Sequence, residues 1–316
     1  MNLKKLDEIV SEYCKNIGIF KDTIEQVYPM AVSVVKTTNP NIEKLEWSRK
    51  FSLTDSIKFV YMFLNDIDHN LASEFIAKIN NPNIVKIQSR KDNPDGYDCV
   101  DGDGIVHIFY ENTPNDIFII CHEMLHKLNE QEKNEQNNCE NLTRDYFGET
   151  VSIMGEMLIG NYLIENGIMN ENDLNMRKLK RLNGDRENAR DIIIESNLIS
   201  LKMAGKEINY ENLTQLINEC KDESIKKILI DESLDFKRIG SIFRNYEEYK
   251  NKRKNLVDVL NIRKSQRYVI AEYLTQEFIS KESRYEDFLQ LHYAVADKNS
   301  SINDIVDDIR KKHPTL

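Results

Sequence analysis

The sequence predicts a mainly α-helical protein with a small antiparallel sheet, and three observations support this fold class. The 316 residues include only 6 prolines, none of them between Pro114 and Pro314, so no proline ring blocks helical geometry in that stretch. Apolar residues recur at helical spacing over most of the chain. A β-branched and aromatic segment, residues 105–110, follows a stretch rich in Asn, Asp and Gly, as the second arm of a hairpin does.

The chain is expected to form one unit over residues 1–316. Residues 1–112 are predicted to supply N-terminal helices and the sheet, in which residues 105–110 pair with residues 97–100. Residues 113–316 are predicted to be helical, with a cleft between the two parts. Breaks in the helical pattern are predicted at three glycines: Gly167, Gly184 and Gly205.

The composition argues against nucleic-acid and membrane partners. A formal net charge of -10, from 43 Lys and Arg against 53 Asp and Glu, repels a phosphate backbone. No apolar run approaches the ~20 residues of a membrane-spanning helix, and residues 1–8 lack the apolar segment of a signal peptide. The 5 cysteines are odd in number and form no CxxC pair, which favours reduced, buried thiols. A cytoplasmic location is expected, with leaderless export or delivery as an effector left open, and the oligomeric state is not indicated.

Residues 113–128 predict an amphipathic helix with a defined start. Thr113 is the expected N-cap, Pro114 occupies the first helical position, and Asp116 completes a capping box three residues after Thr113. Apolar residues at helical spacing form the predicted buried face: Ile117, Ile120, Cys121, Met124, Leu125 and Leu128. The adjoining face carries a His-Glu-x-x-His motif.

That motif consists of His122, Glu123 and His126. Four residues advance a helix by ~6 Å and rotate it by a little more than one turn, so both imidazoles can point at one cation. Imidazole nitrogens bind Zn²⁺ at about 2.0–2.1 Å. Glu123 faces the same cleft and can act as the general base for a metal-activated water that attacks a carbonyl carbon. The motif therefore predicts hydrolytic chemistry at a zinc site, although two purely structural histidines would show the same spacing.

A third ligand is expected downstream, because catalytic zinc usually takes three protein ligands. Glu149, Ser152 and Glu156 lie at positions i, i+3 and i+7 of the next helical pattern and so form one stripe, here called the acidic stripe. Gly148 and Gly155 flank the acidic stripe and would let another helix approach closely. Glu149 is the predicted third ligand. The alternative is that it faces solvent, as most glutamates do.

These two segments resemble the thimet oligopeptidase and oligoendopeptidase F metallopeptidases. Residues 116–123 (Asp-Ile-Phe-Ile-Ile-Cys-His-Glu) are similar to the approach to the family's His-Glu-x-x-His, with Ile119 in place of a threonine. Residues 147–156 keep the acidic stripe in the register of the family's third-ligand segment. The resemblance covers residues 104–165, a fraction of the chain, and the chain is much shorter than the usual family member.

The resemblance implies a helical, zincin-like metallopeptidase fold with a hairpin beside the active-site helix. It implies His122, His126 and Glu149 as ligands of Zn²⁺ and Glu123 as the general base. It also implies that residues 105–110 form the edge strand that holds a peptide substrate by β-addition.

The same family stabilises its tetrahedral intermediate with hydrogen bonds from a tyrosine-rich C-terminal helix and often a nearby histidine. The resemblance therefore implies Tyr268 as a donor in this chain, with His292 and Tyr293 as rival donors. Each of the three could equally be an aromatic packing residue.

The leading hypothesis is a zinc-dependent metalloendopeptidase, acting as a single catalytic unit on peptides or on an unfolded protein segment. The alternative is a catalytically inactive, zincin-like module that binds a protein partner. Leu125, where the family has glycine before the second histidine, and the missing tyrosine-rich pattern keep this alternative open. Val151, where the family has proline, is a further departure. The residues do not separate a peptide-recycling enzyme from an effector aimed at one protein.

Overall fold

A computed structural model describes most of the chain, namely residues 3–16, 21–37, 46–129, 138–233, 264–279, 284–297, 300 and 302–312. These residues are mostly helical and include a small three-stranded sheet, which confirms the predicted fold class. None of the helices in these ranges combines the length and apolar character that a bilayer crossing requires.

The helices and strands follow one another as described here. The helices are α1 (Leu3–Asn16), α2 (Lys21–Thr37), α3 (Leu53–Ile67), α4 (His69–Ile79), α5 (Asn115–Leu128), α6 (Asn138–Glu165), α7 (Glu171–Met203), α8 (Tyr210–Glu219), α9 (Glu223–Ser233), α10 (Lys264–Ile279), α11 (Arg284–Ala296) and α12 (Ile302–Lys312). The strands, all between α4 and α5, are β1 (Val85–Ser89), β2 (Cys99–Val100) and β3 (Val106–Tyr110).

Contacts divide the chain into two compact units. The first comprises residues 1–40 and 181–270, and the second comprises residues 41–180 and 271–316. The expected subdivision between residues 112 and 113 stays a prediction. A single catalytic unit over the whole chain stays a prediction.

The first unit has an apolar core between α1, α2, the later part of α7, α8 and α9. Leu6, Ile193 and Leu229 are among its buried members. Asp7 on α1 accepts hydrogen bonds from the Ile208 N–H at 2.6 Å and from the Lys202 ammonium at 2.8 Å. This carboxylate therefore ties the first helix of the chain to the end of α7.

The sheet lies in the second unit, and its strand order is β1-β3-β2. The predicted antiparallel hairpin is present, with Cys99 opposite His107. The expectation of a purely antiparallel sheet is wrong, because β1 pairs with β3 in parallel, Val85 opposite Val106. The expectation that residues 105–110 form an edge strand is wrong for the same reason, since β3 has a neighbour on each side. The edges of the sheet are β1 and β2.

The connection from β1 to β2 contacts the C-terminal part of β3, which does not pair with β2. The Asp98 carboxylate accepts a hydrogen bond from the Phe109 N–H at 2.7 Å. Arg90 binds Asp98 at 2.5 Å, donates to the Gly96 carbonyl at 2.7 Å, and lies over the Phe109 ring at 5.6 Å. Side chains rather than a fourth strand therefore satisfy the backbone at this end of β3.

The helix start before the His-Glu-x-x-His motif differs from the predicted capping box. Helix α5 begins at Asn115, and the Thr113 hydroxyl has no hydrogen-bond partner within the described part of the chain. The Asp116 carboxylate does accept from the Thr113 N–H at 3.1 Å, and also from the Glu111 N–H at 3.0 Å. Half of the capping box is therefore formed, and the backbone before Pro114 is held by one buried carboxylate.

Two of the three glycine breaks are confirmed. Gly167 and Gly205 end α6 and α7 with positive φ angles of 67° and 73°, a conformation that glycine adopts without strain. The break at Gly184 is wrong, since α7 continues through that residue. A lone glycine weakens a helix but does not end one that packs along its length.

Candidate metal centre

Helix α5 places both histidines of the motif on one side. Its apolar residues at helical spacing are buried as predicted, whereas the side chains of His122 and His126 remain 14% and 23% exposed. The two Nε2 atoms lie 3.1 Å apart, and the rings meet edge to face with 4.7 Å between centroids. The i, i+4 spacing therefore brings one nitrogen of each imidazole to a common point.

Glu149 on α6 reaches the same point from the facing helix. Its side chain is 1% exposed, and Oε2 lies 3.5 Å from His122 Nε2 and 3.4 Å from His126 Nε2. The solvent-facing alternative for this glutamate is therefore wrong. The group His122, His126 and Glu149, whose ligand atoms lie within 4.8 Å of one another, could hold a metal ion.

Close approach of α5 and α6 depends on Gly155 of α6. A Cβ atom added there would lie 2.1 Å from Leu125 Cδ1 and 3.5 Å from Cys121 Sγ. Leu125, the residue directly before His126, thus packs where a glycine leaves room for it. Gly148 has no such neighbour among the described residues, so only one of the two predicted glycines acts as a contact point.

The donor set fits a tetrahedral divalent cation. Three atoms separated by 3.1, 3.4 and 3.5 Å form a nearly equilateral triangle. A point equidistant from them lies roughly 1.9 Å from each, close to the about 2.0–2.2 Å bonds of Zn²⁺ to nitrogen and oxygen.

Charge in this cluster favours a cation. Burial lowers the pKa of His122, but hydrogen bonds with Glu149 and Glu156 outweigh it and raise that pKa to about 10. Burial raises the pKa of Glu149, yet the His126 and His122 imidazoles hold it well below its usual range. The carboxylate therefore stays ionised, and the site attracts positive charge, either as protons or as a metal ion.

Glu123 lies beside this cluster and has the properties of a proton acceptor. Burial raises the pKa of its carboxyl, the two imidazoles lower it, and the carboxylates of Glu149 and Asp98 raise it again, so that the net pKa is raised. A carboxyl whose pKa is raised takes up a proton more readily than a free carboxyl does.

Two residues near the cluster were not among the predicted site residues. Glu156, on the acidic stripe, lies 2.7 Å from His122 Nδ1 through Oε1. Arg177 on α7 contacts the other oxygen of that carboxylate, with Nε at 2.8 Å and an Nη atom at 2.7 Å. The i+7 spacing from Glu149 indicated that Glu156 lies on the same face of α6. Arg177 lies in a basic segment, and nothing in the sequence indicated that it contacts the site.

The catalytic roles of the three predicted hydrogen-bond donors stay predictions. Tyr268 belongs to the first compact unit. His292 on α11 is 2% exposed and stacks on Phe288 with 6.1 Å between centroids. Tyr293 is 45% exposed, and its hydroxyl donates to the Asp68 carboxylate at 2.8 Å. The charged groups that act on His292 are Glu74, Asp68 and Lys78, on α4 and at its N-cap.

Comparisons with known proteins identify no family for the chain and give a weak structural similarity. No known protein family matches the chain, and no curated protein matches it significantly. Among solved structures the chain is similar to one described as "Crystal structure of putative peptidase from Chlamydophila abortus", with a TM-score of 0.46 and 11% identity, covering 98% of this chain and 54% of that one. The chain thus spans about half the length of that protein. Membership of the thimet oligopeptidase family stays a prediction.

Proposed function

We propose that this protein is a zinc-dependent metalloendopeptidase that hydrolyses bonds in peptides or in an unfolded protein segment. The observation that carries the proposal is the convergence of two imidazoles and one carboxylate within 3.1–3.5 Å, with Glu123 beside them. His122, His126 and Glu149 would hold the ion. Zinc bound there would supply Lewis-acid chemistry that lowers the pKa of water and polarises a carbonyl.

Glu123 is the residue that moves the proton. Its carboxylate takes a proton from the attacking water and later gives it to the nitrogen of the leaving amine. Burial and the neighbouring carboxylates favour this role, since both stabilise the protonated form of Glu123 that follows the first transfer.

Peptide addition is proposed at β2. The strand expected for this role, β3, is central in the sheet, but β2 is an edge strand and packs against α5. Asp98, directly before β2, acts on the Glu123 carboxyl. A peptide strand that pairs with β2 on the side away from β3 would therefore run past the general base.

Leu125 does not favour the inactive binding module. The residue departs from the pattern of the resembled family, but its side chain fits against Gly155 of the facing helix. A larger side chain on α5 is matched by the smallest residue on α6, so the helices still bring Glu149 to the two histidines.

Cleavage of a quenched-peptide library, with and without a zinc chelator, tests this function. Wild-type protein should cleave peptides, and the chelator should stop it. Glu123→Gln should bind zinc stoichiometrically but lose about 10²–10⁴-fold in turnover, because general-base catalysis is lost. His126→Ala should lose stoichiometric zinc, which metal analysis would show.

The matched control is Glu171→Gln, at an exposed glutamate in the first turn of α7, which should behave as wild type. Full cleavage by Glu123→Gln would overturn the assigned proton transfer. A wild-type protein that binds zinc but cleaves nothing would instead be the inactive binding module.

A further inference from the structure

We propose that Arg177 is a positioning residue of the metal centre, acting on His122 through Glu156. This inference rests on the metal site of the proposed function. Arg177 lies near the end of the second turn of α7, within the basic sequence Arg-Lys-Leu-Lys-Arg of residues 177–181, and its side chain is 15% exposed. A solvated arginine in such a run would be far more exposed, so this one is held in place by specific contacts.

The Glu156 carboxylate links Arg177 to the histidine, and its two oxygens have separate partners. Oε1 lies 2.7 Å from His122 Nδ1, and Oε2 lies 2.8 Å and 2.7 Å from two guanidinium nitrogens of Arg177. Glu156 is 1% exposed. The three side chains therefore form a continuous hydrogen-bonded chain that ends at a predicted metal ligand.

Further contacts fix the guanidinium to α5. Its Nη1 donates to Asn115 Oδ1 at 3.1 Å, at the first residue of that helix, and its carbon lies 5.7 Å from the centre of the Phe118 ring. Arg177 thus contacts both helices that carry the ligand atoms. The planar, forked guanidinium can make these bonds together, which a lysine ammonium could not do in the same geometry.

The physical role follows from the burial of Glu156. A carboxylate removed from water is costly unless a charge partner and hydrogen bonds compensate it. Arg177 supplies both, so that Glu156 can accept the Nδ1–H of His122. The lone pair of His122 then lies on Nε2, the atom that faces His126 and Glu149. Such partners orient a metal-binding histidine and commonly change metal affinity by about 10–100-fold.

Zinc affinity, measured by competition with a chelator, tests the proposal in the full chain. Arg177→Gln should bind zinc about 10–100-fold more weakly than wild type. Arg177→Lys, which keeps the charge without the fork, should recover part of this loss. The visible absorption spectrum of the Co²⁺-substituted protein should also change in Arg177→Gln, because the ligand field reports the orientation of the His122 ring.

Arg190→Gln is the matched control. Arg190 lies on the same helix and also pairs with a glutamate, Glu187, at 2.9 Å, but it belongs to the other compact unit. This variant should keep wild-type zinc affinity and the wild-type Co²⁺ spectrum. Thermal unfolding of each metal-free variant separates loss of fold from loss of orientation, and Arg177→Lys decides the question if Arg177→Gln does not fold.

A folded Arg177→Gln with wild-type zinc affinity and Co²⁺ spectrum would overturn the proposal and leave Arg177 as a helix tie only. A wild-type protein that binds no zinc would overturn the metal centre itself. Zinc binding that weakens in Arg177→Gln, in a wild-type protein without peptidase activity, would support the positioning role while removing the proposed function.

Discussion

Two histidines of the second compact unit are mostly buried, yet their surroundings give them opposite charge properties. His122 lies against the carboxylates of Glu149 and Glu156, and its pKa is raised to about 10 despite burial. His292 stacks on Phe288, its Nδ1 has no hydrogen-bond partner within the described ranges, and burial lowers its pKa to about 4. Burial alone therefore favours a neutral imidazole, and only paired carboxylates turn a buried histidine into part of a cation site.

The contrast between His122 and His292 also distinguishes a predicted metal ligand from a residue for which aromatic packing was the alternative. The charges near His292 come from Glu74, Asp68 and Lys78, and they do not offset its burial. The imidazole of His292 is therefore neutral at neutral pH. The carboxylates of Glu149 and Glu156 beside His122, by comparison, supply the negative charge that a bound divalent ion would need.

The largest expected effect is the difference in zinc affinity between two variants, one that removes a carboxylate beside His122 and one that removes a carboxylate near His292. Glu149→Gln should weaken zinc binding by more than ~100-fold, the upper end for residues that hydrogen-bond to a metal ligand, because it removes a direct ligand. Glu74→Gln, at an exposed glutamate that acts on His292 and pairs with Lys78 at 2.8 Å, should leave zinc affinity unchanged. Chelator competition measures both, and equal zinc affinities in the two variants would remove the distinction.

Acid should affect the protein through His292. Its pKa is about 4 in the folded protein and near 6.5 when exposed, so the unfolded chain binds more protons between these values. The free energy of unfolding should therefore fall as pH drops from about 6.5 to 4, by about 3 kcal/mol at most from this group.

His292→Phe should remove this part of the acid sensitivity, whatever its effect on stability at neutral pH. Denaturant unfolding at several pH values, with His69→Gln at an exposed histidine as the control, measures the slope. Asp68, Glu74, Lys78 and the Tyr293 ring are the neighbours kept unchanged in the comparison. The same slope in His292→Phe and wild type would show that the histidine is not the group responsible.

The smallest expected effect is on the free energy of unfolding, and it depends on how closely α5 and α6 pack rather than on charge. Gly155→Ala would place a Cβ atom 2.1 Å from Leu125 Cδ1, and such overpacking destabilises by about 1–3 kcal/mol. At Gly184, in a helix interior, no described atom beyond the neighbouring residues and the helix's own backbone lies within 4 Å of an added Cβ, so Gly184→Ala should instead stabilise by about 0.5–1 kcal/mol. Chemical denaturation measures both. A neutral Gly155→Ala would mean that α5 and α6 can separate without losing stability.

The candidate site was predictable from the sequence where it depends on one helix. The spacing of His122 and His126 sets their geometry locally, and the predicted apolar face of α5 is buried. Glu149 could be suspected from its place between apolar residues. The parallel pairing of β1 with β3 could not be foreseen, since a short β-branched segment does not indicate its partner or its direction. The expected edge strand was wrong for that reason.

Arg177 shows the limit most clearly. Its sequence neighbours are basic and mark a solvated helix face, and only the packing of α7 against α5 and α6 brings it to Glu156.

By itself, the amino-acid sequence determined the helical fold class and the paired imidazoles, because both follow from periodicity within a single element. The tertiary structure alone decided which strand is central, which glycine admits Leu125, and how Glu149, Glu156 and Arg177 meet His122. Those contacts join residues 21 to 34 positions apart in the sequence, and such contacts are set by packing between elements rather than by local backbone geometry.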